Sequence, residues 1–204
     1  MFIIVRHGNT FEAGETPRRI GARTDLALTA KGAAQAQALG AHFTALGVHF
    51  RRAFVSPLAR TRQTAAAILS RQDGTPALPR SAEFLREIDH GPDEDTSEEA
   101  IRARIGGEPL AAWDRDAIAP PDWQVEAETR KAAWRVLFAR SRQEDGPTLL
   151  VTSNGAARFA LLADPALAEA ARALPSMKLP TGGYGVIAWS DAGTLELREW
   201  GTRP

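Results

Sequence analysis

The chain has 204 residues, 44% of them hydrophobic, which is enough to bury a sizeable core as one domain, and no Pro/Gly/Ser tract is long enough to mark a linker. Lysine plus arginine and aspartate plus glutamate both number 25, so the broad basic face that nucleic acid or an anionic membrane would favour is not expected, and any positive potential should be local. The absence of cysteine excludes disulfides, thiolate catalysis and Cys-based zinc or iron–sulfur sites.

Residues 2–5, Phe-Ile-Ile-Val, read as a buried parallel strand, and Arg6-His7-Gly8-Asn9-Thr10 follows at its end. This sets a nucleophile beside a fixed cation. An imidazole can attack phosphorus, a guanidinium can hold phosphate oxygens through paired N–H donors, and Gly8 removes the side chain that would keep a ligand from the backbone. A histidine at a strand end is also commonly an ordinary hydrogen-bonded surface residue, so the tripeptide alone leaves both readings open. The chain starts directly with this core strand, without a cationic segment leading into a cleavable apolar stretch, and nothing later runs apolar for a membrane-spanning length. A cytoplasmic protein with no membrane partner is the expectation.

Thr29 is suited to cap a helix reaching about residue 46, in which Leu39, Phe43 and Leu46 recur at i, i+4 and i+7. His42 falls beside that stripe and His49 just after it, and neither adjoins an acid, nucleophile or ligand motif, so both are read as structural. The four histidines, His7, His42, His49 and His90, show no metal-ligand spacing; neither a metal nor another cofactor is expected. Ala53-Phe54-Val55 is a second strand ending at Ser56, whose side chain is suited to cap the next helix, with Pro57 at its first position and Arg60 in its first turn.

From about residue 97 to 142 the pattern is mainly helical, carries Trp113, Trp123, Trp134 and Phe138, and is interrupted at Pro120-Pro121. These aromatics are read as core or pocket wall. Residues 149–152 form a third strand that leads into Ser153-Asn154-Gly155 and a helix with Phe159, Leu161 and Leu162. Near the end, residues 184–189 and 194–200 flank a turn-rich interval and predict an antiparallel hairpin at the sheet edge, preceded by Gly182-Gly183 in a loop able to close on the site. The expected architecture is one α/β domain over residues 1–204, a three-layer sandwich with a mainly parallel central sheet, helices on both faces and that edge hairpin. In such a sheet, ligands sit outside the carboxyl ends of the strands, where helix N-termini offer N–H donors, so Arg6, His7, Arg60 and the 153–155 loop should converge.

Several motifs add to this. Gly21-Ala22-Arg23-Thr24-Asp25 is followed by Leu28-Thr29, Gly32, Gln35 and Ala36, then by residues 56–65, Ser-Pro-Leu-Ala-Arg-Thr-Arg-Gln-Thr-Ala, by Leu85-Arg86-Glu87, and by residues 151–158, Val-Thr-Ser-Asn-Gly-Ala-Ala-Arg. Together with the first motif these resemble the histidine phosphatase superfamily, the phosphoglycerate-mutase-like proteins, over nearly the full length. The resemblance implies that His7 becomes a phosphohistidine, that Arg6 and Arg60 bind the transferring phosphoryl oxygens, and that Asn9 and Thr10 contact phosphate or position the leaving group. It also implies that Glu87 protonates the leaving alkoxide and later activates water, a task for which burial or a nearby phosphate should raise its pKa; Asp89 is the competing acid.

One position departs from the family. Aligning by Val151 and Arg158 puts Ser153 where a second active-site histidine is expected; no other histidine lies in that segment, and whether His90 approaches the pocket from another loop is left open by the sequence. Losing such a donor costs on the order of 10²–10³ in rate, while Ser153, Asn154 and the following backbone N–H groups remain to bind phosphate. The expected function is therefore a metal-independent phosphomonoester hydrolase of reduced activity acting on a small phosphorylated substrate. The alternative is a non-catalytic phosphate-binding or interaction protein on the same fold. Arg-His-Gly-Asn-Thr resembles the phosphatase branch more than the mutase branch. Arg18, Arg19 and Arg23 hint at an anionic leaving group, but are read first as a solvated loop face.

Overall fold

The first strand, β1 (Phe2–Arg6), is apolar on both faces because it runs through the middle of a sheet covered on both sides. The computed structural model describes residues 1–143 and 145–204, with Gln143 described by its backbone alone. The other strands are β2 (Arg18–Arg19), β3 (Arg52–Val55), β4 (Pro79–Ser81), β5 (Thr96–Ser97), β6 (Thr148–Thr152), β7 (Tyr184–Trp189) and β8 (Leu195–Thr202). Six of them form the central sheet in the order β4-β3-β6-β1-β7-β8, with β4, β3, β6 and β1 parallel and the β7–β8 hairpin antiparallel at one edge.

Alternation along β1 divides the core. Ile3 and Val5 face a cluster with Leu39 and Phe43 of α1 (Ala30–Ala45) and Ile68 of α2 (Ala59–Leu69), whereas Phe2 and Ile4 face the opposite cluster. On that second side lie α3 (Glu98–Ile105), α4 (Glu108–Asp116), α5 (Ala127–Arg140), α6 (Asn154–Leu161) and α7 (Pro165–Arg172), which supply Ile101, Trp113, Trp134, Phe159 and Leu167. Helices therefore cover both faces of a mainly parallel sheet, as the sequence pattern predicts. Among the described residues no helix is long and apolar enough to cross a membrane.

Local chemistry explains most boundaries. Thr29 caps α1, its Oγ1 accepting from the Gly32 N–H at 3.1 Å. The expected cap of α2 is different. That helix begins at Ala59, its N-cap Leu58 makes no side-chain bond, and the Ala59 N–H donates instead to Asp25 Oδ1 at 2.6 Å. Ser56 takes only a 3.4 Å contact from the Leu58 N–H, because Pro57 and Leu58 intervene before the helix starts. The expected 97–142 helical stretch is three helices, broken at Gly106 (φ +80°) and across the loop between α4 and α5, where Ala117 and Glu126 take left-handed conformations. No pattern in the sequence announces the short antiparallel pair β2–β5.

The end of β1 is pressed against the start of α1. A Cβ on Gly8 would lie 2.2 Å from the Gly32 carbonyl oxygen, and one on Gly32 would lie 2.1 Å from that of Asn9. Only two bare backbones can approach so closely, and this contact fixes where His7 points.

Candidate active site

His7 follows β1, is 4% exposed, and donates its backbone N–H to the Thr152 carbonyl. Its Nδ1 lies 2.7 Å from the Gly8 carbonyl oxygen. A carbonyl can only accept, so Nδ1 carries the hydrogen and Nε2 keeps its lone pair free. Burial, with Arg60 and Arg6 nearby, pushes the imidazolium well below the ordinary histidine range. The ring is thus neutral, with its unprotonated nitrogen at Nε2.

Two buried guanidinium groups flank it. Arg6 spends one terminal nitrogen on the Leu179 carbonyl at 2.7 Å, while its Nε is buried without a partner. Burial brings Arg6 down to about 10, against the pull of Glu87, which leaves it cationic at neutral pH. Arg60 is fully buried; its terminal nitrogens donate to the carbonyls of Thr24 at 2.7 Å and Gly21 at 3.1 Å, and its Nε has no partner. Buried donors without acceptors are costly, and two of them on cations around one imidazole suit an anion.

A cavity of about 430 Å³ opens over His7. Arg6, Asn9, Thr10, Glu87 and Asn154 line it together with His7, so six of the eight residues singled out as site residues meet there. Arg60 and Ser153 do not line it. Arg60 acts on His7 from behind through its charge, and Ser153 is 1% exposed with an unpartnered Oγ. At that corner the lining residues are Asn154 and Gly155. Asn154 Oδ1 accepts the Leu179 N–H at 2.9 Å, which ties the loop before β7 to the site. Asn9 is already committed, its Nδ2 donating to the Phe11 carbonyl and to Thr29 Oγ1.

Glu87 differs from expectation in its protonation. Burial does raise its pKa, but His90, the N–H groups of Gly155 and Ile88, and Arg60 outweigh burial, and the carboxyl lies below the ordinary glutamate value. Oε1 accepts from Ile88 and Ala156, Oε2 from Gly155, all at 2.9–3.0 Å. Asp89, the competing acid, is turned away: it pairs with Arg23 at 3.1 Å, accepts the Gly91 N–H at 2.8 Å and does not line the cavity. His90 does line it.

The outer part of the cavity is cationic and aromatic. Arg18, Arg19 and Lys178 line it with Phe11 and Trp113. Arg18 and Arg19 are therefore cavity wall as well as loop surface, because the β2–β5 pair and the ion pairs Arg18–Asp95 (2.7 Å) and Arg19–Glu98 (3.1 Å) fold their loop over the opening. Arg23 alone keeps the solvated reading, at 57% side-chain exposure. Trp113 is held by the buried Arg158 guanidinium 4.2 Å from its ring centroid. Lys178, paired with Asp114 at 2.6 Å, and Thr181 carry no sequence motif that points to the site; the loop bonds of Arg6 and Asn154 to Leu179 bring them in.

Fold and site together define an α/β protein with a cavity lined by His7 and several cationic side chains at the carboxyl ends of its parallel strands. The chain belongs to the histidine phosphatase superfamily (branch 1), whose family model matches residues 2–202. It is similar to a 2,3-bisphosphoglycerate-dependent phosphoglycerate mutase of Beijerinckia indica subsp. indica, with 30% identity over 98% of this chain and 96% of that one. Among solved structures, a mycobacterial glucosyl-3-phosphoglycerate phosphatase shares the fold, with a TM-score of 0.78 at 23% identity over 100% and 99% of the two chains. A structure from Thermus thermophilus matches with a TM-score of 0.62 at 29% identity over 92% of this chain and 93% of that one.

Proposed function

We propose that the protein is a metal-independent phosphomonoester hydrolase that works through a phosphohistidine on His7, in one catalytic domain spanning residues 1–204. The observation that carries this reading is the free Nε2 of a buried, neutral imidazole flanked by two guanidinium groups with unpartnered donors. Nε2 attacks phosphorus, Arg6, Thr10 and Asn154 on the cavity wall hold the phosphoryl oxygens, and the buried Arg60 adds its positive charge from behind, while Asn9 and Ser153 join the phosphate-binding set only if their side chains turn into the cavity. Glu87, kept ionised by its three N–H donors, is suited to orient the water that attacks phospho-His7 and poorly set to carry a proton.

The substrate class is a small phosphorylated molecule, and the proposed setting is the cytoplasm. Turnover is expected to be slow, because the family position of a second histidine is Ser153 and the donor lining that corner is the neutral amide of Asn154. The mutase names of relatives such as that from Beijerinckia indica favour transfer to a second hydroxyl as the other reading. Release of inorganic phosphate from an aryl phosphate with chelator present, abolished by His7→Ala, supports hydrolysis. Unchanged release by His7→Ala contradicts it, and tight phosphate binding without turnover supports the non-catalytic alternative.

A further inference from the structure

We infer that the groove between α5 and the β3–β4 edge of the sheet binds a small amphiphilic anion, an apolar chain that ends in a carboxylate or a phosphate. The groove shares no residue with the cavity over His7, so the inference stands apart from the hydrolase reading. Its volume is about 900 Å³, within the size of small-molecule sites.

Residue size opens the groove. One face of α5 is turned into the protein, where Arg130, Trp134 and Phe138 are buried. The neighbouring face carries Ala132, Ala133, Val136 and Arg140, a single helical stripe. Across from it, Phe54 of β3 lies in register with Arg80 of β4, with Leu78 and Ala82 on the wall beside them. The two alanine methyl groups are too short to fill the space up to Phe54 and Leu78, so this edge of the sheet is left uncovered. Leu78 and Val136, exposed by 84% and 49%, both meet solvent here.

Charge sets the sign of the ligand. Arg51, Arg52, Arg80 and Arg140 line the groove, and among the described residues no acidic side chain does. Arg52 is engaged, donating to Thr148 Oγ1 at 3.0 Å and to the Gly146 carbonyl at 3.2 Å. Arg80 on the strand wall and Arg140 on the helix wall are exposed, and among the described residues neither has an ion pair or a side-chain hydrogen bond. The outer cations of the catalytic cavity differ, since Arg18, Arg19 and Lys178 each have a carboxylate. Guanidinium groups without a counter-charge beside an apolar wall favour a ligand that brings both a negative head and an apolar body.

Two larger occupants fit less well. A second copy across a two-fold axis would set the same arginines face to face. A peptide strand added to β4 would find few donors, because Pro79 has no N–H and Ala82 gives its own to the Val55 carbonyl at 2.9 Å.

Calorimetric titration of the full chain with dodecanoate, below its micelle concentration, should show one saturable site. Binding should be weaker by about tenfold or more for dodecyltrimethylammonium, which has the same tail and the opposite charge, and for dodecanoate on the Arg80→Glu/Arg140→Glu variant. Ala132→Trp, which fills the groove, should lose the site while circular dichroism stays that of the wild type; the arginine variant, altered only at exposed positions, decides the matter should the tryptophan not fold. Equal binding of the two amphiphiles, unchanged dodecanoate binding in either folded variant, or no saturable binding would overturn the inference. So would a dimer in sedimentation that Val136→Glu separates, which gives the groove to a second copy, or a preference for phosphatidylglycerol vesicles over free dodecanoate, which gives it to a membrane surface.

Discussion

Gly155→Ala should uncouple Glu87 from the site, because the added methyl has nowhere to go. Built on the existing backbone, it lies 2.4 Å from Glu87 Oε1 and 2.8 Å from Ile88 Cγ1. Ile88 is fully buried, and Oε1 is pinned by the N–H groups of Ile88 and Ala156, so the carboxylate has to give up one or both of the bonds at that oxygen. Hydrogen bonds to a charged group contribute about 1.5–3 kcal/mol each; losing one or two, less about 1 kcal/mol returned by alanine over glycine within a helix, gives a net loss of about 0.5–5 kcal/mol. Urea unfolding of the wild type, Gly155→Ala, Glu87→Ala and the double variant forms a cycle in which the methyl should cost less once Glu87 is gone, since only the contact with Ile88 Cγ1 then remains. A coupling energy of about 1 kcal/mol or more is expected, since the two residues touch. Strictly additive effects would refute the clash, and with it the claim that the α6 backbone holds this carboxylate.

Four further outcomes are set by the same kinds of contact. His7 has a depressed folded-state pKa, so the unfolded chain binds its proton more readily; stability should fall as pH drops below about 6.5, and His7→Asn should flatten that fall in urea titrations. Glu94 is depressed to about 2 from 4.5, so its contribution is present above pH 4.5 and lost as pH falls toward 2; Glu94→Gln should weaken the pH dependence of the urea midpoint there. Asp25→Ala removes the α2 cap and should cost about 1 kcal/mol of stability in the same unfolding assay. Arg6→Lys keeps a charge but not the fork, and should cut kcat by at least about tenfold while the fold survives, as measured by phosphate release and circular dichroism.

What can be read from the sequence depends on how local its cause is. The apolar run of β1, the Thr29 cap and the hairpin of β7 and β8 are set by neighbours in the chain, and the pattern finds each one. The cap of α2 is misread at Ser56 because Asp25 reaches it from 34 residues away. The β2–β5 pair is two residues long on each side, too short for any periodicity, and so Arg18 and Arg19 read as solvated charges until that pair folds them over the cavity. The protonation of Glu87 is misjudged for a related reason: burial is visible in a motif, but three N–H donors converging from α6 and Ile88 are visible only once the chain is folded. Lys178 joins the site through backbone bonds to Leu179, which leave no signature in residue type.

Phosphorylation of His7 at Nε2 is the central claim. Rapid acid-free quenching of the wild type during turnover of an aryl phosphate, followed by intact-mass and peptide analysis, reads this directly. One acid-labile phosphoryl group on the peptide containing His7, formed no more slowly than phosphate is released and absent from His7→Ala, is the expected result. Phosphate release with no phosphorylated protein at any time, or a phosphoryl group on another residue, would contradict it.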